Sequence, residues 1–200
     1  MKNILKYLKL LPVFLLVFGL IACSDDDDDN NPPVTTTVVD VAVTNGFDAL
    51  AAALIRADLV TTLQGPGPFT VFAPTNDAFQ DLLDTNSAWN TLNDIPLDLL
   101  TTVLLNHVII GAEVPSSAIT PDGVYANVGA TGPDSNNLSI YARLNGTTVE
   151  INGGFSSAAG ANVTAADVSA DNGVVHVINK VLLPPTIADM AIANPALSLL

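Results

Sequence analysis

The two histidines, His107 and His176, have the most versatile side-chain chemistry in this sequence. Neither has a metal-ligand or catalytic partner at a diagnostic spacing. A zinc site needs three or four ligands, so it would require both histidines and a carboxylate to be brought together by folding. The alternative is structural: His107 hydrogen-bonds within the fold at a helix end, and His176 packs within a β run. The sequence therefore predicts no metal site.

The sequence contains no recognised motif for nucleophilic catalysis or for phosphate binding. The string Gly-x-Ser-x-Gly, which forms the nucleophile elbow of many hydrolases, does not occur, and residues 153–157 are interpreted as a flexible turn. A glycine-rich phosphate loop is absent as well. Two carboxylates could meet as an acid/base pair, but most lie at predicted turns and helix ends, where capping explains them. Glu150 is expected to face solvent. We therefore expect neither enzyme activity nor a cofactor.

Cys23 is the only cysteine and follows an amino-terminal segment typical of secretion. Three lysines surround and precede the apolar run 10–22, a pattern that predicts a signal peptide over residues 1–22. A retained membrane anchor is the alternative. The run, however, is shorter than the roughly 20 apolar residues that span a bilayer, and Pro12 interrupts it.

Leu20-Ile21-Ala22-Cys23 resembles the bacterial lipobox, in which a small residue precedes a cysteine that receives lipid before the signal peptide is removed. A single cysteine cannot form an internal disulfide, so lipidation is its expected role, with a free thiol as the alternative. The acyl chains would hold the protein on a membrane. The Ser-Asp-Asp-Asp run that follows resembles an export signal of some Gram-negative lipoproteins, which implies an outer-membrane or cell-surface location.

Charge restricts the partners of the mature protein. Removal of residues 1–22 leaves three basic and 20 acidic residues, a formal net charge of −17. Arg56, Arg143 and Lys180 are too few and too scattered to neutralise a run of phosphates, so nucleic-acid binding is disfavoured. Electrostatic attachment to anionic lipid is disfavoured for the same reason.

Residues 23–36 are predicted to form an acidic, disordered tether behind the lipidated cysteine. Asp25 to Asp29 are consecutive, and the residues that follow offer little apolar surface, so the segment repels itself and stays extended. A calcium site is the alternative interpretation. A consecutive run, however, lacks the alternating ligands and the central glycine of a calcium loop.

Residues 37–185 have the mixed periodicity of one globular domain, which is long enough to form a core without a disulfide or a metal. Apolar spacing predicts a helix over 47–58. Residues 75–77 offer side-chain caps for a helix over 78–83. A longer helix is predicted over 95–107, with its proline in the first turn, where a missing N–H costs nothing.

Strands dominate the carboxyl-terminal half of this domain. Asn145-Gly146 between two β-rich runs is a strong hairpin signal, because both turn positions need a positive φ. Asp171-Asn172-Gly173 separates a second pair of such runs. The predicted strands are 69–74, 138–144, 147–151, 163–170 and 174–183.

Three segments carry a family resemblance. Residues 69–79, Phe-Thr-Val-Phe-Ala-Pro-Thr-Asn-Asp-Ala-Phe, look like the first homology block of fasciclin domains. Residues 172–184, Asn-Gly-Val-Val-His-Val-Ile-Asn-Lys-Val-Leu-Leu-Pro, look like the second. Between them, residues 104–109, Leu-Leu-Asn-His-Val-Ile, resemble the family's central tyrosine-histidine segment. The matches are in order and span nearly the whole predicted domain.

The resemblance implies a β-rich α+β fold, a compact wedge in which a bent antiparallel sheet or sandwich packs with several short helices. It also implies adhesion to cells or extracellular matrix, without catalytic residues. Asn106 stands where animal members have the tyrosine of a segment linked to integrin recognition, a departure that argues against integrin-type activity. Asn106, His107 and His176 are the motif residues and therefore the candidate interaction residues.

An internal repeat points to further domains. Residues 37–45, Thr-Val-Val-Asp-Val-Ala-Val-Thr-Asn, are echoed at an offset of 149 residues by 186–194, Thr-Ile-Ala-Asp-Met-Ala-Ile-Ala-Asn. An offset of one domain length predicts that a second fasciclin repeat begins at 186 and that the chain stops inside its first helix. The alternative is a terminal helix that packs on the first domain.

Two functional hypotheses follow from the sequence. The favoured one is a lipid-anchored adhesin that contacts a matrix protein or a polysaccharide. The other is a periplasmic or surface protein that binds or hydrolyses a small molecule or polysaccharide, which an acidic cluster in a deep cleft would favour. The longest irregular stretch, 115–133, is the predicted partner surface. Trp89 and Tyr125 could stack on sugars or, alternatively, pack partly buried.

Overall fold

The computed structural model of this chain describes residues 35–132, 135–153 and 160–184. The predictions for the signal peptide, Cys23, the acidic run and the repeat from 186 lie outside the described residues, as does most of the predicted turn at 153–157. All described residues belong to one compact unit that begins at Thr35.

Five α-helices lie within the described residues. The predicted helices correspond to the second, fourth and fifth of them, although the fifth begins just after Pro96 instead of including it. Short 3-10 helices occur at Leu92–Asp94 and Ser116–Ala118. No helix in this part of the chain combines the length and the apolar character needed to span a bilayer. The α-helices are α1 Val38–Thr44, α2 Asp48–Arg56, α3 Val60–Leu63, α4 Asn76–Asp84 and α5 Leu97–Asn106.

Side-chain hydrogen bonds cap the amino-terminal turn of two of these helices. The Thr75 hydroxyl accepts from the Ala78 N–H at 3.2 Å at the start of α4, as predicted. At α1, the Asp40 carboxylate accepts from the hydroxyl and the N–H of Thr37, and these bonds lower the pKa of Asp40. A cap of this kind contributes about 1 kcal/mol to helix stability.

The strands form one mixed sheet in the order β2-β1-β7-β6-β5-β4-β3. β1 and β7 run parallel, whereas every other neighbouring pair is antiparallel. β3 at one edge contacts β2 at the other, so the sheet curls towards a barrel. The predicted α+β fold is confirmed, with one parallel pair in its sheet. The strands are β1 Phe69–Pro74, β2 Val108–Ile110, β3 Val124–Thr131, β4 Asn137–Asn145, β5 Thr148–Ile151, β6 Ala161–Ala170 and β7 Gly173–Ile178.

Two predicted segments differ in the structure. The prediction that 115–133 is irregular was wrong, because this stretch contains a 3-10 helix and the edge strand β3. Its alanine, asparagine and glycine residues have weak strand propensity, and pairing with β4 makes it a strand. The last predicted strand, 174–183, ends early at Ile178. The chain then leaves the sheet while Val181 and Leu182 stay buried.

The core has two clusters, and strands β1 and β7 contribute side chains to both. Burial of each large apolar side chain contributes roughly 1.5–3 kcal/mol, so both clusters hold the sheet in its curled form. The first cluster packs the helices on β1 and β7 and includes Leu50, Phe79, Leu100, Leu104 and Val175. The second fills the inside of β3 to β6 and includes Ile140, Ile151, Ala161, Ile178 and Leu182.

The β6–β7 turn fastens the first helices to the sheet. Asn172 accepts from the Val38 N–H at 2.9 Å and donates from Nδ2 to the Leu63 carbonyl at 2.8 Å. Next to it, a Cβ on Gly173 would lie 2.1 Å from the Phe69 carbonyl oxygen. Glycine is therefore required for this close approach of β7 to β1.

Candidate functional site

His107 follows α5 directly and is buried. The Leu182 N–H donates to its Nε2 at 2.8 Å, so the proton resides on Nδ1, which donates to the Val103 carbonyl at 2.6 Å. Burial lowers the pKa of His107 to about 4, although the bond to Val103 opposes the shift. The imidazole is neutral at pH 7, and each nitrogen holds a backbone group.

Asn106, one residue earlier, is buried as well. Its Nδ2 donates to the Leu182 carbonyl at 3.2 Å, while its Oδ1 has no hydrogen-bond partner among the described residues. Asn106 and His107 therefore bind the carbonyl and the N–H of the same residue. Together they fasten the segment after β7 to the end of α5.

His176 lies buried on β7, with its ring centroid 5.6 Å from that of Phe72. The Asp167 N–H donates to Nδ1 at 3.2 Å, so Nε2 carries the proton and donates to the Val114 carbonyl at 2.9 Å. The hydroxyl and the N–H of Ser116 donate to the Asp167 carboxylate and lower its pKa. The serine thus faces a carboxylate and not the imidazole, an arrangement unlike a nucleophile and its base.

The fold brings two of the three predicted site residues together. Asn106 and His107 meet at Leu182, whereas His176 bonds to Val114 and Asp167. All three are buried, and both histidines occupy the structural roles given as the alternative to a zinc site. Within the described ranges, no group of three or more His, Cys, Asp or Glu side chains is placed to hold a metal ion.

An open groove of about 540 Å³ lies beside the β6–β7 turn. Its lining includes Gln64, the turn 65–68, Glu113 and Asp171. The Asp171 carboxylate accepts from the Thr36 N–H at 2.6 Å, so one of the two lining carboxylates already holds the backbone. The lining thus offers Glu113 and Asp171 as its carboxylates, and Asp171 is engaged in the fold.

The outer surface of β3, β4 and β5 is aromatic and polar. Alternate residues of these strands point inward to the second core cluster, and the residues between them point outward. The register places Tyr125 opposite Tyr141 and Asn127 opposite Ser139, and Arg143 opposite Glu150. We call this surface the tyrosine face and define it by Tyr125, Asn127, Ser139, Tyr141, Arg143 and Glu150.

Tyr141 forms the buried base of the tyrosine face. Its hydroxyl donates to the Asp122 carbonyl at 2.9 Å, and burial raises the pKa of its phenol. A Cβ on Gly123 would lie 2.2 Å from the Tyr141 ring, so glycine lets the turn before β3 cover that ring. Tyr125 packs on it with ring centroids 4.8 Å apart and remains 52% exposed.

Hydrogen bonds order the polar part of the tyrosine face. The Ser139 hydroxyl donates to Asn127 Oδ1 at 2.8 Å. The Arg143 Nε donates to a Glu150 carboxylate oxygen at 2.9 Å, and a second guanidinium nitrogen lies 2.8 Å from the same oxygen. Asn145 Nδ2 donates to the other carboxylate oxygen at 2.9 Å. The charge of Arg143 is thereby neutralised within the sheet.

Tyr125 was predicted from the sequence as a sugar-stacking residue, whereas its neighbours on this face were not. The signal was present in β4, where Ser139, Tyr141 and Arg143 alternate with apolar residues. The pairing register with β3, which places Tyr125 beside them, was not readable from the sequence. Trp89, the other predicted sugar-stacking residue, packs partly buried against the helical core, as the alternative interpretation stated.

The comparison with protein families agrees with the homology blocks. The fasciclin domain family model matches residues 45–184. This chain belongs to the fasciclin domain family. In its fasciclin domain the two homology blocks supply β1 and β7, which pair in parallel from Phe69 opposite Gly173 to Pro74 opposite Ile178. The blocks are therefore neighbours in the sheet, although about 100 residues separate them along the chain.

Fasciclin relatives occur among bacterial proteins. Protein sll1483 of Synechocystis sp. is 37% identical over 149 residues, which cover 74% of this chain and 73% of that protein. The uncharacterized protein sll1735 of the same organism is 34% identical over 149 residues, which cover 73% of this chain and 96% of that protein.

A solved structure shares the fasciclin fold. It is a FAS1 domain pair from the insect cell adhesion molecule fasciclin I, with a TM-score of 0.54 and 21% sequence identity. The match covers 78% of this chain and 52% of that one, so this chain spans about half the length of the domain pair. At this identity the likeness concerns the fold.

Proposed function

We propose that this chain is a lipid-anchored, surface-exposed adhesion protein without enzyme activity. In this proposal Cys23 carries the lipid, residues 24–36 form the tether, and the fasciclin domain binds a matrix protein or a polysaccharide. The anchor holds the domain on the outer membrane or cell surface.

The family match over residues 45–184 carries the proposal. Fasciclin I, which has the same fold, is an insect cell adhesion molecule. The buried state of Asn106, His107 and His176 adds a second argument, because these motif residues maintain the fold and leave recognition to surface side chains. Adhesion requires such a surface and no reactive group.

The anchor is tested by metabolic labelling with an alkyne fatty acid. We expect the full chain to take up label and to sediment with membranes, whereas Cys23→Ser loses both properties. Asn31→Ala, in the same tether, is the matched control and keeps both. Undiminished labelling of Cys23→Ser would rule out this anchor.

Adhesion is tested with bacterial cells of a non-adherent strain that display the full chain. We expect saturable attachment to at least one surface from a panel of matrix proteins and polysaccharides. Cells that secrete the Cys23→Ser chain are the control and should not attach. Absence of attachment to the whole panel, with the chain shown to be displayed, would refute the adhesion proposal.

A further inference from the structure

We propose that the tyrosine face binds neutral polysaccharide. This inference rests on the proposed adhesion function and adds to it a partner class and the residues that contact the partner. It uses none of the motif residues, which lie in the interior.

Tyr125 supplies the stacking surface. Tyr125 is 52% exposed, and its ring packs on that of Tyr141 with centroids 4.8 Å apart. Tyr141 is in turn held by the hydrogen bond to the Asp122 carbonyl. A tyrosine supported in this way offers a large contact area at a low cost in conformational entropy. The C–H face of a pyranose ring packs against such an aromatic surface.

Asn127 and Ser139 place polar groups next to that ring. The two residues form an exposed pair, two positions along the strands from Tyr125 and Tyr141. An asparagine amide and a serine hydroxyl both donate and accept hydrogen bonds, and sugar hydroxyls do the same. From Ser139 to Arg143 the face extends about 13 Å along β4, which is long enough for more than one sugar unit.

Charge selects a neutral glycan over an anionic one. The mature chain has three basic and 20 acidic residues, so its field repels carboxylated and sulfated polymers. On the tyrosine face itself, Glu150 neutralises Arg143, and the Asp122 charge acts on the Tyr141 phenol from the adjoining turn. A neutral polysaccharide meets no such repulsion. A basic protein would be attracted by acidic residues over the whole domain and not specifically by this face, where the Glu150 carboxylate is already paired with Arg143.

The test titrates the purified full-length mature chain with oligosaccharides in a calorimeter. The probes are neutral glucan, mannan and galactan fragments, with alginate fragments as the anionic probe. We expect binding of a neutral probe and none of alginate. Tyr125→Ala should weaken that binding by at least about tenfold, whereas Tyr125→Phe should retain it. Ile55→Ala, a large apolar residue on α2 with 70% exposure, is the matched control and should bind as the wild type does.

A second variant guards against a folding artefact. Thermal unfolding of Tyr125→Ala is measured first. If its melting temperature is lower than that of the wild type, the double variant Asn127→Ala and Ser139→Ala takes its place. We expect the double variant to lose neutral-glycan affinity to the same extent. Wild-type attachment to a matrix protein without binding of any neutral probe would overturn the glycan site and leave the adhesion proposal standing. Neutral-glycan binding unchanged in the folded face variants would also overturn the site. Failure of both attachment and glycan binding would overturn both proposals.

Discussion

Two regions of this domain use polar side chains for opposite purposes. In the interior, Asn106 and His107 each form a hydrogen bond with the backbone of Leu182. On the tyrosine face, Tyr125 and Asn127 lie exposed on a sheet whose other side is apolar. The interior residues belong to the segments that identify the family, whereas the face residues lie outside them. A family motif can therefore preserve a fold while the partner is chosen elsewhere.

The largest expected effect is that of His107→Ala. The change leaves the buried Leu182 N–H and Val103 carbonyl unpaired and opens a cavity, so the free energy of unfolding should fall by about 4 kcal/mol. Urea denaturation measures it, with the exposed Val43→Ala as control. Binding per folded molecule should not change. If His107→Ala kept wild-type stability but no longer bound the partner, the interior residues would take part in binding and the two regions would not differ in purpose.

Acidification should weaken the interior region selectively. The His107 pKa is about 4 in the fold and about 6.5 in the unfolded chain, so the unfolded state binds the extra proton between these values. Stability is complete above pH 6.5 and should fall by about 3 kcal/mol as the pH drops to 4. The lowered pKa values of Asp40 and Asp167 remove stability only below this window. His107→Gln should flatten the dependence in urea titrations, and an unchanged slope would contradict this assignment.

A pair of glycine substitutions separates backbone strain from the support of Tyr141. Gly123 and Gly146 both have positive φ, at 79° and 63°, but only a Cβ on Gly123 would meet the Tyr141 ring, whereas nothing lies within 4 Å of one on Gly146. Gly146→Ala should cost about 1 kcal/mol of stability from strain. Gly123→Ala should cost about 2 kcal/mol more and displace the tyrosine pair. Equal melting temperatures for the two variants would mean that the turn does not position Tyr141.

The smallest expected effect on stability is that of Arg143→Met. The guanidinium and its Glu150 partner are partly exposed, at 24% and 15% of the side chain, so loss of this pair should change the unfolding free energy by less than about 1 kcal/mol. Neutral-glycan affinity should nevertheless fall, because Arg143 borders the stacking surface. Chemical denaturation and calorimetry on the same sample compare the two quantities. A large stability loss with normal binding would assign Arg143 to the interior network.

Much of the secondary structure was predictable because local signals are strong. Asn145-Gly146 defines a hairpin, and Thr75 caps α4, from neighbouring residues alone. β3 was missed because several of its residues have weak strand propensity and its strand form depends on pairing with β4. The end of β7 was misplaced for a related reason: Val181 and Leu182 are as apolar as a strand residue but are buried outside the sheet.

The sequence by itself determined the family, the α+β class and most of the helices and strands, since these depend on periodicity, turns, caps and the order of the homology blocks. It also identified His107 and His176 as the notable side chains, but only the tertiary structure decided what they do. Their partners, Leu182 and Val114, are more than 60 residues away. The tyrosine face was decided in the same way, because the register of β3 against β4 places Tyr125 on Tyr141. Local chemistry specifies elements, whereas long-range packing and pairing specify which atoms meet.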